Sequence, residues 1–162
     1  MPNRSDASPI TGGCQCGAVR YAVHATQLER THYCHCRMCQ RALGNLFAAL
    51  AGTRKTQFEW TGAQTPRVYA SSSVATRGFC PQCGTPLSFA YAESEWIYVT
   101  VGSLDTPANA VPERHFGIES QLPWLHLDDA LPKEATGDTD LLRTMKVYQH
   151  PQVPNGLAAT QK

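Results

Sequence analysis

The sequence predicts a single, mainly antiparallel β domain over residues 10–132, with loops that carry clustered thiols. Three observations support this. Short stretches alternate apolar and polar residues, and Gly, Pro and Ser turns separate them. Seven cysteines fall in three groups, Cys14/Cys16, Cys34/Cys36/Cys39 and Cys80/Cys83, each beside or between predicted strands. At 162 residues, with 42% hydrophobic and 17% charged content, the chain is long enough to bury a real core.

In chain order, residues 1–9 read as a disordered tail. Ile10-Thr11-Gly12-Gly13 leads into Cys14-Gln15-Cys16-Gly17, where glycines allow tight turns around a bound ion. Ala18 to Val23 alternates as a strand, and Thr31 to Cys34 is a short extended piece delivering the central cluster. Gln40 to Leu43 predicts one helical turn stopped by Gly44. Leu46 to Leu50, followed by Gly52, reads as a buried strand, and Thr56 to Trp60 as a strand ending at Thr61-Gly62. Arg67–Ala70 and Ala75–Phe79 bracket the serine tract Ser71 to Ser73, which suits a loop or hairpin; Pro86 to Tyr91 and Glu95 to Val101 form a β-hairpin. Beyond Gly102 the pattern is irregular. Residues 133–162 form a polar C-terminal extension, partly disordered or with one short helix over Asp138 to Tyr148, capped by Asp138.

A formal net charge of +1 gives no reason to expect nucleic acid or an anionic membrane as partner. The longest apolar run, Leu46 to Ala51, is far too short to span a bilayer, and Met1 to Gly13 lacks a signal-peptide core. The expected compartment is the cytoplasm. Its reducing conditions disfavour disulfides, seven cysteines leave one over, and Cys-x-Cys closes too tight a ring.

Clustered thiols in such a compartment point to zinc, which takes four thiolate or imidazole ligands in closed structural sites and fewer in open catalytic ones. Cys80-Pro81-Gln82-Cys83-Gly84 is a metal knuckle, with Cys14/Cys16 as its natural complement. Cys34, Cys36 and Cys39 then form the second set. A rival partition joins Cys14/Cys16 to Cys34/Cys36 and leaves Cys39, Cys80 and Cys83. His35, His24 or His32 could close the central trio as a fourth ligand. A Cys36/Cys39 redox pair lacks its usual βαβ context, and the spacings do not suit an iron–sulfur cluster.

On Gly12-Gly13-Cys14-Gln15-Cys16-Gly17-Ala18-Val19, Cys34-His35-Cys36-Arg37-Met38-Cys39 and Arg77-Gly78-Phe79-Cys80-Pro81-Gln82-Cys83-Gly84, the chain resembles the glutathione-dependent formaldehyde-activating enzyme (GFA), or centromere-protein-V, family. The resemblance continues through Gly102-Ser103-Leu104-Asp105 and Pro112-Glu113-Arg114-His115 to Pro123-Trp124, spanning residues 10–132. It implies twisted antiparallel sheets and two zinc ions per chain. Cys14, Cys16, Cys80 and Cys83 would hold the structural zinc, and Cys34, Cys36 and Cys39 an open catalytic one. The implied activity is that of a carbon–sulfur lyase joining a small thiol such as glutathione to a small aldehyde such as formaldehyde.

The chemistry is coherent, because a thiol is mostly protonated at neutral pH and a cation at its sulfur favours the nucleophilic thiolate. Three thiolates on one Zn²⁺ leave a net negative complex, which favours thiol binding over carbonyl activation. The alternative is a non-catalytic, zinc-stabilised module for thiol binding or protein interaction. Arg77 and Arg114 read as solvated charges, His115 as a hydrogen-bonded structural residue, Trp124 as a cover for the core, and Ser71 to Ser73 as a polar loop.

Overall fold

The structure, a computed structural model, describes residues 8–146. The tail expected over 1–9 lies outside them except for its last two residues, as does the extension beyond 146. Eleven strands appear among the described residues: β1 Ile10–Gly13, β2 Arg20–Val23, β3 Glu29–Cys34, β4 Ala48–Arg54, β5 Phe58–Trp60, β6 Arg67–Ala70, β7 Ala75–Phe79, β8 Pro86–Tyr91, β9 Trp96–Thr100, β10 Arg114–Phe116 and β11 Lys133–Glu134. Two short helices join them, α1 Arg37–Leu43 and α2 Asp140–Thr144. None is long and apolar enough to cross a membrane.

The strands form a three-stranded sheet, β1-β2-β5, and an eight-stranded sheet, β11-β10-β3-β4-β9-β8-β7-β6. Pairing is antiparallel except at one edge, where β10 runs parallel to both β3 and β11. The mainly antiparallel expectation therefore holds, with a parallel edge that local patterning does not disclose.

Two cores follow from this arrangement. Val19, Tyr21, Val23, Leu87, Val99 and Leu104 pack with Cys14 and Cys80 in one. Ala48, Leu50, Trp96 and Tyr98 surround Cys34, Cys36 and Cys39 in the other. Burying each such side chain contributes about 1.5–3 kcal/mol for the larger apolar ones, so Cys14, Cys80 and the central trio sit inside regions that stabilise the fold, whereas Cys16 is exposed.

The predicted hairpin of β8 and β9 forms, and of the loop or hairpin expected around Ser71 to Ser73, β6 and β7 form the hairpin. Other boundaries shift. Lys55–Gln57 is a 3-10 turn, leaving β5 only the second half of the expected Thr56–Trp60 strand. Gly52 lies inside β4, where a Cβ would meet the Glu29 carbonyl at 2.9 Å. The C-terminal helix starts at Asp140 with Thr139 at its N-cap; Asp138 instead accepts a bond from the Ala135 N–H. Trp124 does not cover the core: it is 64% exposed.

Candidate metal centres and the adjoining cavity

The seven thiols gather into two sets, Cys14/Cys16/Cys80/Cys83 and Cys34/Cys36/Cys39, with the sulfurs of each set within 4.8 Å of one another. The rival partition is not formed. All seven cysteines are free of disulfides.

In the four-thiol set, Cys14 and Cys16 come from the loop between β1 and β2, and Cys80 and Cys83 from the loop between β7 and β8. The set therefore pins the small sheet to the large one. Gly84, at φ 78°, supplies the left-handed turn that closes the knuckle. The Cys14 and Cys16 sulfurs are 3.5 Å apart, and those of Cys16 and Cys80 3.8 Å. A tetrahedral zinc with Zn–S near 2.3 Å has an S···S edge of about 3.8 Å, so this set fits that ion. Val19 N–H donates to Cys14 Sγ at 3.3 Å, and the Thr85 hydroxyl lies 3.1 Å from Cys83 Sγ. Bonding to Thr85 draws the Cys83 thiol down to about 5.

The three-thiol set is built by a strand-to-helix junction. Cys34 ends β3, Cys36 is the N-cap of α1, and Cys39 lies in its first turn. Cys36 Sγ accepts the Cys39 N–H at 3.4 Å, which makes one thiol a helix cap. The helix thus begins at Arg37, earlier than the single turn expected from Gln40. Cys34 and Cys36 sulfurs are 3.5 Å apart. Gly117, at φ 69°, passes so close that a Cβ would meet Cys36 N at 2.7 Å. Buried Gln40 donates to the carbonyls of His35 at 2.7 Å and Ser120 at 2.9 Å, bracing the junction from behind.

No histidine or carboxylate among the described residues joins this trio within 4.8 Å. His35 is committed elsewhere: its Nε2 lies 2.8 Å from His115 Nδ1, and His115 Nε2 lies 2.8 Å from Asp129 Oδ1. The carboxylate can only accept, so His115 donates from Nε2 and receives the His35 Nε2–H on Nδ1. That leaves His35 Nδ1 bare, and it has no partner. Burial, then the neighbouring His115, push His35 down to about 4, consistent with a neutral ring. His24 pairs with Glu59 beside β5, remote in the fold from the trio. His115 is the hydrogen-bonded structural residue expected.

Charge at the trio is contested. Hydrogen bonding from Cys34 and Cys36, with Arg77 adding its charge, holds Cys39 well below the ordinary thiol range. Bonding to Cys36 and Cys39 pushes Cys34 well above it. One thiolate thus excludes the next, and a divalent cation is what lets all three ionise. This donor set fits zinc.

Arg77 is the residue that sequence reasoning placed wrongly. It is buried, not solvated, and its Nη2 donates to Cys39 Sγ at 3.3 Å. Burial works against its charge, yet the Cys39 sulfur outweighs that and holds the guanidinium above its ordinary value. The guanidinium also lies 4.8 Å from the Phe89 ring centroid. The signal existed: in β7 Ala75 and Arg77 face inward and Thr76 outward, with a period of two.

A cavity of about 310 Å³ adjoins the trio. Its floor is one face of the large sheet, read at alternate positions: His32 and Cys34, Ala75 and Arg77, Phe89 and Tyr91, Arg114 and Phe116. Cross-strand register aligns Arg77 with Phe89 and Phe89 with Tyr98. Arg114 pairs with Glu134 at 3.4 Å, and buried Ser72 also lines the space. His32 Nδ1 lies 2.8 Å from the Arg30 carbonyl, which assigns the ring proton to Nδ1 and leaves Nε2 as the acceptor.

The sequence model of the family described as "glutathione-dependent formaldehyde-activating enzyme" matches residues 9–120. An uncharacterized lyase of Schizosaccharomyces pombe is 33% identical over 87 residues, 54% of this chain and 61% of that protein. The chain thus spans less than two thirds of that relative. A Halomonas elongata protein, provisionally named glutathione-dependent formaldehyde-activating enzyme, is 26% identical over 127 residues, 74% of this chain and 81% of that protein. A crystal structure of a Rhodobacter sphaeroides protein aligns at 20% identity with a TM-score of 0.49, covering 77% of this chain and 99% of that one.

Proposed function

Since the chain belongs to the glutathione-dependent formaldehyde-activating enzyme family, we propose that it is a cytoplasmic, zinc-dependent carbon–sulfur lyase. It adds a small thiol such as glutathione to an aldehyde such as formaldehyde, or runs that addition in reverse. The observation that carries this reading is the trio of buried thiols bordering a cavity, with no fourth protein ligand in reach among the described residues.

Cys14, Cys16, Cys80 and Cys83 would hold a structural zinc, and Cys34, Cys36 and Cys39 a second one. A zinc ion at the trio would supply a cationic centre that favours the thiolate form of an added thiol. The chain's own groups account for the rest. In the forward direction a C–S bond forms, the carbonyl becomes a hydroxyl, and the thiol proton ends on that oxygen. His32 Nε2, on the only histidine lining the cavity among the described residues, takes the proton and returns it. Arg77 holds the Cys39 thiolate, and its Nε–H, buried without a partner, is a donor available to the adduct oxygen. Formaldehyde adds to thiols unaided, so the protein's contribution is positioning and proton management.

The test is the rate of S-(hydroxymethyl)glutathione formation above the spontaneous rate, with Cys34→Ser as control and metal content measured alongside. Two zinc ions per chain and an excess abolished in Cys34→Ser are expected. No excess with any of several thiols would overturn the enzyme reading, and glutathione binding without rate enhancement would replace it with a thiol-binding module.

A further inference from the structure

Part of the segment that follows the family match forms a strap across the cavity. It starts at β11, on one edge of the large sheet, paired with β10. Thr136, itself buried, is anchored through its backbone N–H and hydroxyl to the Glu119 carboxylate. At its far end Ser73 N–H donates to the Lys146 carbonyl at 2.9 Å, and Lys146 N–H returns a bond to Ser73 Oγ at 2.9 Å. Ser73 lies in the turn between β6 and β7, on the opposite edge. Residues 133–146 therefore run from one side of the sheet to the other, tied at both ends.

Between the ties, Leu142 and Met145 line the cavity that holds the three thiols. Leu142 is buried and Met145 half-buried. Facing them from the sheet are Leu50, Phe89 and Phe116. Along that stretch apolar side chains face one another, while Arg30, Arg77 and Arg114, which also line the cavity, lie against Trp96, Cys39 and Glu134. At about 310 Å³ the cavity has room for more than the reacting atoms. Glutathione's charged ends are poorly matched to such a wall and formaldehyde has no carbon chain to set against it, so the group this wall suits is an apolar chain.

We propose that residues 133–146 are the specificity wall of the three-thiol site, and that the aldehyde partner carries an apolar body of several carbons. This rests on the thiol–aldehyde reading above. Leu142 and Met145 act as specificity-determining residues: they take up the aldehyde's chain once its carbonyl carbon is bonded to sulfur.

The test uses the zinc-loaded full chain and binding measured by calorimetry. The probes are glutathione and its S-methyl, S-butyl and S-hexyl thioethers, stable stand-ins for adducts of aldehydes of increasing length. Affinity is expected to rise about fourfold per added methylene between S-methyl and S-butyl. In Met145→Gln and Leu142→Gln the rise should flatten to under about twofold, with glutathione binding and zinc content kept; Met145→Gln, at the less buried position, carries the test if Leu142→Gln melts early. Equal affinity along the series, or glutathione binding with no thioether binding, would overturn this inference alone. An undiminished rise in a folded variant would overturn the assignment to the strap. Failure of glutathione and all thioethers to bind would remove the thiol-site reading itself, and this inference with it.

Discussion

The guanidinium of Arg77 borders the cavity beside the three-thiol site, with Nη2 donating to Cys39 Sγ at 3.3 Å. Three thiolates around a zinc dication would carry one net negative charge, which the Arg77 guanidinium would offset. Beside that guanidinium, a trithiolate zinc would be a better electrophile than its ligands alone imply. Arg77→Met should lower zinc affinity at the trio by about 10–100-fold and leave the four-thiol site filled. Arg77→Lys should fall between, since one ammonium restores charge but not the fork. Competition with a chromophoric chelator, counting ions per chain, decides it. Two ions held with unchanged affinity in Arg77→Met would refute the role.

A second expectation concerns the chain His35–His115–Asp129, which holds the loop between Cys34 and Cys36 from inside. Asp129→Ala leaves the buried His115 Nε2–H without its acceptor. Loss of one buried partner costs about 1–3 kcal/mol. Denaturant unfolding should register that loss, and a variant as stable as the parent would show that His115 finds another acceptor at no cost.

The thiol sets were legible because metal-ligand spacing is a local property of sequence, and Cys80-x-x-Cys83 and Cys34-x-Cys36-x-x-Cys39 each fold within one turn or junction. The β8–β9 hairpin was legible for the same reason. Arg77 was readable only by letting strand alternation outrank the habit of placing arginine in solvent. Two features had no local signature at all. The parallel pairing of β10 with β3 joins residues some eighty positions apart, as Cys34 with Phe116. The strap's role depends on Ser73 meeting Lys146, and its polar composition reads as a tail until that contact is seen. Trp124 misled because a tryptophan after a proline resembles a core cover, whereas here it is exposed.

Metal removal should unfold the protein through the four-thiol set first. Those sulfurs join the β1–β2 loop to the β7–β8 loop, and Cys14 and Cys80 are part of the core between the sheets. A zinc held there would contribute folding free energy directly, because no preformed site exists in the unfolded chain. Cys80→Ser should lose that ion and the cooperative thermal transition, and a strong chelator should do the same to the parent. Cys34→Ser, by contrast, should keep one zinc and a cooperative transition. Calorimetry with metal analysis distinguishes them; Cys80→Ser with its full zinc content and parental melting would contradict the structural assignment.

The last expectation separates proton management from binding. His32 is packed edge-on against Tyr98 and Phe116, with ring centroids at 5.5 and 6.3 Å, and its Nδ1–H is spent on the Arg30 carbonyl. Burial lowers its tendency to protonate, so Nε2 stays available as an acceptor. His32→Gln keeps a polar side chain of similar reach but cannot take a proton. A general base contributes about 10²–10⁴-fold, so kcat should drop by at least about 10²-fold while glutathione affinity and zinc content hold. Equal losses in binding and turnover would make His32 a packing residue of the cavity wall, and an unchanged kcat would place the proton transfer with solvent.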